Sequence, residues 1–108
     1  MRSQFHIDYY QSILQLRPET IELMNFVENQ FKNNEKVWIS KKLKVKSGVD
    51  YYLSSNKFAR ILGKQLKKKF KGKLTESVKL FGRDKYRSKD LFRVTVCFRL
   101  KKEIELDD

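Results

Sequence analysis

Residues 74–100, LTESVKLFGRDKYRSKDLFRVTVCFRL, set two runs rich in β-branched and aromatic residues around a short charged tip. Such runs read as strands, and a short polar connection containing glycine joins them as a hairpin. The strands are expected at about 73–82 and 90–101, and the tip between them carries Arg83, Lys85, Tyr86, Arg87 and Lys89. Four cations around one turn either meet a polyanion or keep an exposed edge from pairing with another chain.

Working back from the hairpin, Phe58, Ile61, Leu62, Leu66 and Phe70 recur at helical spacing. Ser54 or Ser55 can cap the start of that helix, and Gly72 is expected to stop it. Its polar side holds Lys57, Arg60, Lys64, Lys67, Lys68 and Lys71. Before it, EKVWISKKLKVKSGVDYYL (35–53) alternates: Val37, Ile39, Leu43 and Val45 face one way, Trp38, Ser40, Lys42, Lys44 and Lys46 the other. Ser47-Gly48 breaks the run as a hairpin turn, leaving a short strand at 49–53. In PETIELMNFVENQF (18–31), Ile21, Met24, Val27 and Phe31 mark a helix opening at Pro18, with Glu19 and Glu22 placed where the helix dipole favours acids. QFHIDYYQSILQLR (4–17) alternates Tyr10, Ser12, Leu14 and Leu16 against Tyr9, Gln11, Ile13 and Gln15, as a strand does.

The order β-α-β-β-α-β-β predicts an α+β fold, with two helices on one face of a mainly antiparallel sheet. That is a ferredoxin-like plan with an extra strand. The other sheet face would lie open, showing Tyr9, Trp38, Lys42, Lys44, Tyr52, Lys79, Phe81, Arg93 and Arg99. Rings among cations suit looped or single-stranded RNA, since rings stack on bases while Lys and Arg hold phosphates. The same face can equally pack on another domain or a second copy.

Charge favours the first use. The 108 residues hold 25 Lys or Arg against 13 acids, a net charge of +12. Residues 36–102 carry 22 cations and 4 acids, the rest 3 and 9, so the chain is polarised and one surface is set aside for a polyanion. The length and the absence of any repeat or Pro/Gly/Ser linker indicate one basic domain over 1–108.

Other classes find no support. No apolar run nears the ~20 residues of a membrane span and MRSQFHIDYY lacks a signal-peptide core, so a cytosolic chain is expected. Cys97 is alone and reads as a packing residue, and His6, the single histidine, offers no metal or catalytic constellation. The four glycines read as turn residues, none in a phosphate loop. No cofactor, metal or small-molecule substrate is expected, and the chemistry is binding.

GVDYYLSSNKFARILGKQL (48–66) and ESVKLFGRDKYRSKDLFRVTVCFRL (76–100) resemble the Nmd-three family, adaptors that bind the large ribosomal subunit and in eukaryotes carry it out of the nucleus. The matching features are Gly48 and Asp50 before an aromatic pair, Ser55 and Ala59 at the helix start, Glu76-Ser77 with Lys79-Leu80, and the closing Tyr86 and FRVTV. YYQSILQLR is similar to the family's first strand after its zinc-binding region. The paired Cys-x-x-Cys motifs of that region are missing here, as are the C-terminal export segments, so the chain reads as an internal domain of an archaeal-type member beginning at an added Met1. The resemblance implies docking to the large subunit during assembly or quality control, without catalysis.

Charge and resemblance together nominate an RNA-binding surface drawn from Trp38, Lys42, Lys44, Lys46, Lys64, Lys67, Lys68, Lys71, Arg83, Lys85, Tyr86 and Arg87. The partners expected are rRNA, ribosomal proteins and neighbouring domains of a longer chain. The alternatives are a protein-docking module that uses the open sheet face and a generic single-stranded nucleic-acid binder.

Overall fold

A computed structural model describes residues 10–84, 86 and 89–101, without the side chains at 81, 84, 89 and 90. The expectations for His6, Tyr9, Lys85, Arg87 and the Phe81 side chain lie outside these residues.

Strand β1 (Ser12–Arg17) keeps the alternation of its sequence: Ser12, Leu14 and Leu16 are buried and the residues between them half-buried. Helix α1 (Ile21–Asn29) begins after Thr20, whose Oγ1 accepts the Leu23 N–H at 3.1 Å. The opening expected at Pro18 is therefore too early, because the residue able to satisfy a free first-turn amide comes later. Leu23 and Val27 point inward, with Met24 and Phe26 partly buried, while Ile21 is 74% exposed and does not belong to the stripe.

β2 (Ile39–Val45) and β3 (Gly48–Leu53) form the expected hairpin, but not with the expected faces. Ile39 pairs with Leu53 and Lys41 with Tyr52, so the register slips by one residue at Ser40. A bulge of this kind reverses the facing of everything beyond it. Ile39 therefore shares a face with Lys42 and Lys44, and Leu43 and Val45 turn to the opposite side.

Helix α2 (Asn56–Lys69) starts at Ser55, whose Oγ accepts the Phe58 N–H at 3.0 Å. It buries Ala59, Leu62, Gly63 and Leu66, whereas Ile61 is exposed. Gly63 is not a turn residue: a Cβ there would stand 2.8 Å from Val96 Cγ1 and 3.1 Å from Leu74 Cδ1, so its absence lets α2 lie close on the sheet. Gly72 opens β4 rather than ending α2, which is capped at Phe70; a Cβ on Gly72 would meet the Arg99 carbonyl at 2.5 Å. The two helices meet through edge-on ring pairs, Phe26 with Phe70 and Phe31 with Phe58.

β4 (Gly72–Asp84) and β5 (Lys89–Leu100) are the closing hairpin. The five-stranded sheet has the order β2-β3-β1-β5-β4, with β5 parallel to β1 and the other pairings antiparallel. A ferredoxin-like sheet would seat the strand after α2 beside β1. Here β5 takes that place and pushes β4 to the edge, so the extra strand is inserted rather than appended. Leu14, Leu16, Val49, Tyr51, Leu53, Val94, Val96 and Phe98 form the sheet half of the core, against Leu23, Val27, Ala59, Leu62 and Leu66 of the helices.

β5 begins before its β1 partner does, since the first register pair is Ser12 with Val94. Asn56 fills part of that gap: its Nδ2 donates to the Phe92 carbonyl at 2.9 Å and its Oδ1 accepts the Val94 N–H at 3.1 Å. Beyond this staple the β4–β5 ribbon projects past the helices. On the helix side of the ribbon Val78, Leu80 and Phe92 are exposed, because the layer that covers their neighbours has ended.

Candidate nucleic-acid interface

Strand parity decides which cations face a partner. On β5, Val94, Val96 and Phe98 point to the core, so Arg93, Thr95, Cys97 and Arg99 lie on the open face, and the register adds Lys73, Thr75, Ser77 and Lys79 of β4. Tyr52 is there as expected, opposite Ile13 and Lys41. Lys42 and Lys44 are not. They sit opposite Tyr51 and Val49, on the helix side, where α1 and the segment before it supply acids.

There Lys42 Nζ donates to Glu28 Oε2 at 2.8 Å and the Tyr51 hydroxyl donates to the same oxygen at 2.6 Å. These donors, Lys42 first, hold the Glu28 carboxyl below its ordinary value, and burial followed by Glu28 pushes the Tyr51 hydroxyl up. Lys44 pairs with Glu19, whose carboxyl is lowered chiefly by that contact. The expectation that these lysines line the open face is corrected, and the cause is the bulge at Ser40, which no periodicity reveals.

The open face carries its own pattern. The Tyr10 and Tyr52 rings meet edge to face with centroids 4.8 Å apart. The Arg93 guanidinium stacks 4.0 Å above the Tyr10 ring and the Lys41 ammonium sits 5.0 Å from Tyr52, so a chain of cation–π contacts crosses the sheet. At the far end, Arg17, Arg99 and Lys73 occupy one row of β1, β5 and β4. Among the described residues Arg17 is tied down: its Nη2 donates to Asp50 Oδ1 at 2.6 Å, both side chains being 12% exposed, and its Nη1 donates to the carbonyls of Leu16 and Val49. Against this row lies a cleft of about 530 Å³ lined by Arg17, Pro18, Gly72, Lys73, Arg99, Leu100 and Lys101. Among the described residues that line it, every charged one is a cation.

The remaining candidates fall into separate places. Trp38 precedes β2, half-buried, its backbone N–H donating to Ser54 Oγ at 2.9 Å. Lys64, Lys67 and Lys68 are exposed on α2. The last two stand at the helix C-terminus, where cations also complement the dipole. Lys71 adjoins the cleft, its carbonyl accepting the Lys101 N–H at 2.9 Å. Lys46 is exposed in the β2–β3 turn, beyond the end of β1 at which Leu16 pairs with Val49. Arg83 and the fully exposed Tyr86 lie at the hairpin tip, beyond the opposite end of the sheet. One surface therefore does not gather them all.

Sequence reasoning left Lys73, Lys101, Lys41 and Tyr10 out of the binding set. A signal for the first was present: counting outward from the tip nearly pairs 73 with 99 and 79 with 93, and the bulge between Leu80 and Gly82 shifts the count by one.

The fold and its surface define a class: a small, strongly basic α+β module whose charge is spread over solvent-facing strands and a helix. A family profile described as NMD3, second domain, matches residues 9–100, and the chain belongs to that family as an internal domain. Membership places it among ribosome-biogenesis adaptors. No curated protein sequence matches the chain.

Proposed function

We propose that this domain docks on the large ribosomal subunit during its assembly or export, touching rRNA and ribosomal proteins through basic surfaces, without catalysis and, for this chain, in the cytosol. Membership of the NMD3 family supports the ribosomal setting. The observation that carries the mode of contact is the exposure of Lys64, Lys67 and Lys68 on α2 and of Arg83 at the hairpin tip, together with the open-face rows on the other side of the sheet, which point away from the acids of α1. Each such cation that neutralises a phosphate releases counterions, which gives strong and salt-sensitive binding. A protein contact within the same docking is supported by the exposed Val78, Leu80 and Phe92 on the helix side of the ribbon.

Binding of the chain to purified large subunits at two salt concentrations tests this reading. It is expected to weaken steeply with salt and to be abolished in the triple variant Arg83→Glu, Lys85→Glu, Arg87→Glu. Salt-insensitive binding that the triple variant retains would assign the contact to protein and leave the tip cations a solubility role.

A further inference from the structure

Helix α2 divides its two sides sharply. Ala59, Leu62, Gly63 and Leu66 are buried against the sheet, and at about 3.6 residues per turn Lys57, Lys64 and Lys68 fall on the opposite side, all exposed. Ile61 occupies the turn between the first two, and Arg60 supplies a cation at that level from the β4 side, where its Nε donates to Glu76 Oε2 at 2.7 Å. Lys67 flanks the row on the same side, near the helix C-terminus. The row from Lys57 to Lys68 is about 16 Å long at the rise of an α-helix. It stands on a fixed base, because Gly63 seats the helix close against Val96 and Leu74.

The form of nucleic acid that fits such a row follows from where the rings point. Single-stranded RNA is gripped by stacking its bases on open aromatic faces, whereas a duplex keeps its bases stacked inside and is met through phosphates and shape. The one aromatic residue of α2, Phe58, turns to Phe31, and Phe70 at the C-cap turns to Phe26. The outer side of α2 therefore presents a straight row of cations without a ring.

We propose that α2 lies along the phosphate surface of a double-stranded RNA segment, with Lys57, Lys64, Lys67 and Lys68 contacting phosphates while the bases stay paired. The proposal rests on the RNA-docking reading above and names the form of RNA and the element that meets it. Contacts of this kind position a duplex without reading its sequence.

Lys64→Gln combined with Lys68→Gln tests this, since glutamine removes the charge and keeps a helix propensity close to that of lysine. Lys32→Gln with Lys36→Gln, on the exposed segment after α1, is the control of equal charge change. Binding to blunt RNA duplexes of two different sequences, and to one strand of each alone, is measured over a range of salt. The parent is expected to bind each duplex more tightly than its single strand, and the two duplexes alike. The α2 variant is expected to lose duplex affinity, with a slope of log K against log salt shallower by about 2, one for each lysine removed. The control is expected to keep the parent's slope. Tighter binding of the single strands overturns the proposal, as does an α2 variant that matches the control. In either case, salt-sensitive binding of the parent to large subunits leaves the docking reading standing, and only the α2 contact fails. A parent that binds neither RNA nor subunits brings down the docking reading itself.

Discussion

The two outer parts of the sheet use cations in opposite ways. On β2, Lys42 and Lys44 turn toward the helix layer and meet Glu28 and Glu19. On β4 and β5, Lys73 and Lys79 turn the other way and meet Arg99 and Arg93. Both regions set lysines an even number of residues apart along one strand, two on β2 and six on β4. A count of cations therefore does not locate a binding surface. What does is the parity of each strand and whether the neighbouring element brings an acid within reach.

Arg17 sits between these regimes, a member of the basic row that Asp50 neutralises. Asp50→Ala should have the largest effect on stability, about 3 kcal/mol, since it leaves a mostly buried guanidinium without its carboxylate. Chemical denaturation reads that loss. The same variant should bind RNA more tightly, as the row gains a charge, and unchanged or weaker binding would break the contrast between the regions.

Glu28→Gln comes next, at about 1 kcal/mol after discounting for a carboxyl that is partly exposed. Its pH signature is specific. Glu28 titrates lower in the folded protein than its ordinary value near 4.5, so its contribution is full above that value and is lost as pH falls through the lower folded one. Stability of the parent should therefore drop over that acid window, and the glutamine variant should show a shallower drop in urea titrations across it.

Lys73→Glu should stabilise by roughly 0.5 kcal/mol, the scale of a cross-strand ion pair, read as a raised urea midpoint. Destabilisation would mean that Lys73 already has a partner in the fold and would remove the contrast. Lys44→Ala should be the smallest change, leaving the urea midpoint at the parent's value, because its side chain is largely exposed despite Glu19, and its RNA affinity should fall no more than that of Lys32→Ala.

The sequence was legible where a strand or helix keeps one period to its end. β1 is uninterrupted, and Ser12, Leu14 and Leu16 face inward as their spacing requires. The Ser55 cap and the pair Leu62 and Leu66 follow from equally local rules. Ile21 and Ile61 show the limit: both fit a 3.6-residue period, yet each sits on the margin of its helix where the sheet provides no neighbour. The Ser40 bulge was invisible because an inserted residue leaves the composition of a run unchanged while reversing its faces. Nor does periodicity say which strands adjoin, so the place of β5 beside β1, and with it the row of Arg17, Arg99 and Lys73, had to come from the fold. For Gly63 the deciding fact is a distance to β5, which lies far along the chain.

The insertion of β5 next to β1 also bears on how the chain acquires its structure. The strand that completes the middle of the sheet is the last of the described strands to be synthesised, and its contacts with β1 span most of the domain. Contacts of such long sequence separation slow folding, because a large loop must close before they form. During translation β2, β3 and β1 can pair, but the flank of β1 stays unpaired and α2 lacks most of its floor until Leu100 has left the ribosome. A nascent chain halted before Lys89 should therefore remain sensitive to protease throughout, and resistance should appear in one step once the whole of β5 is available.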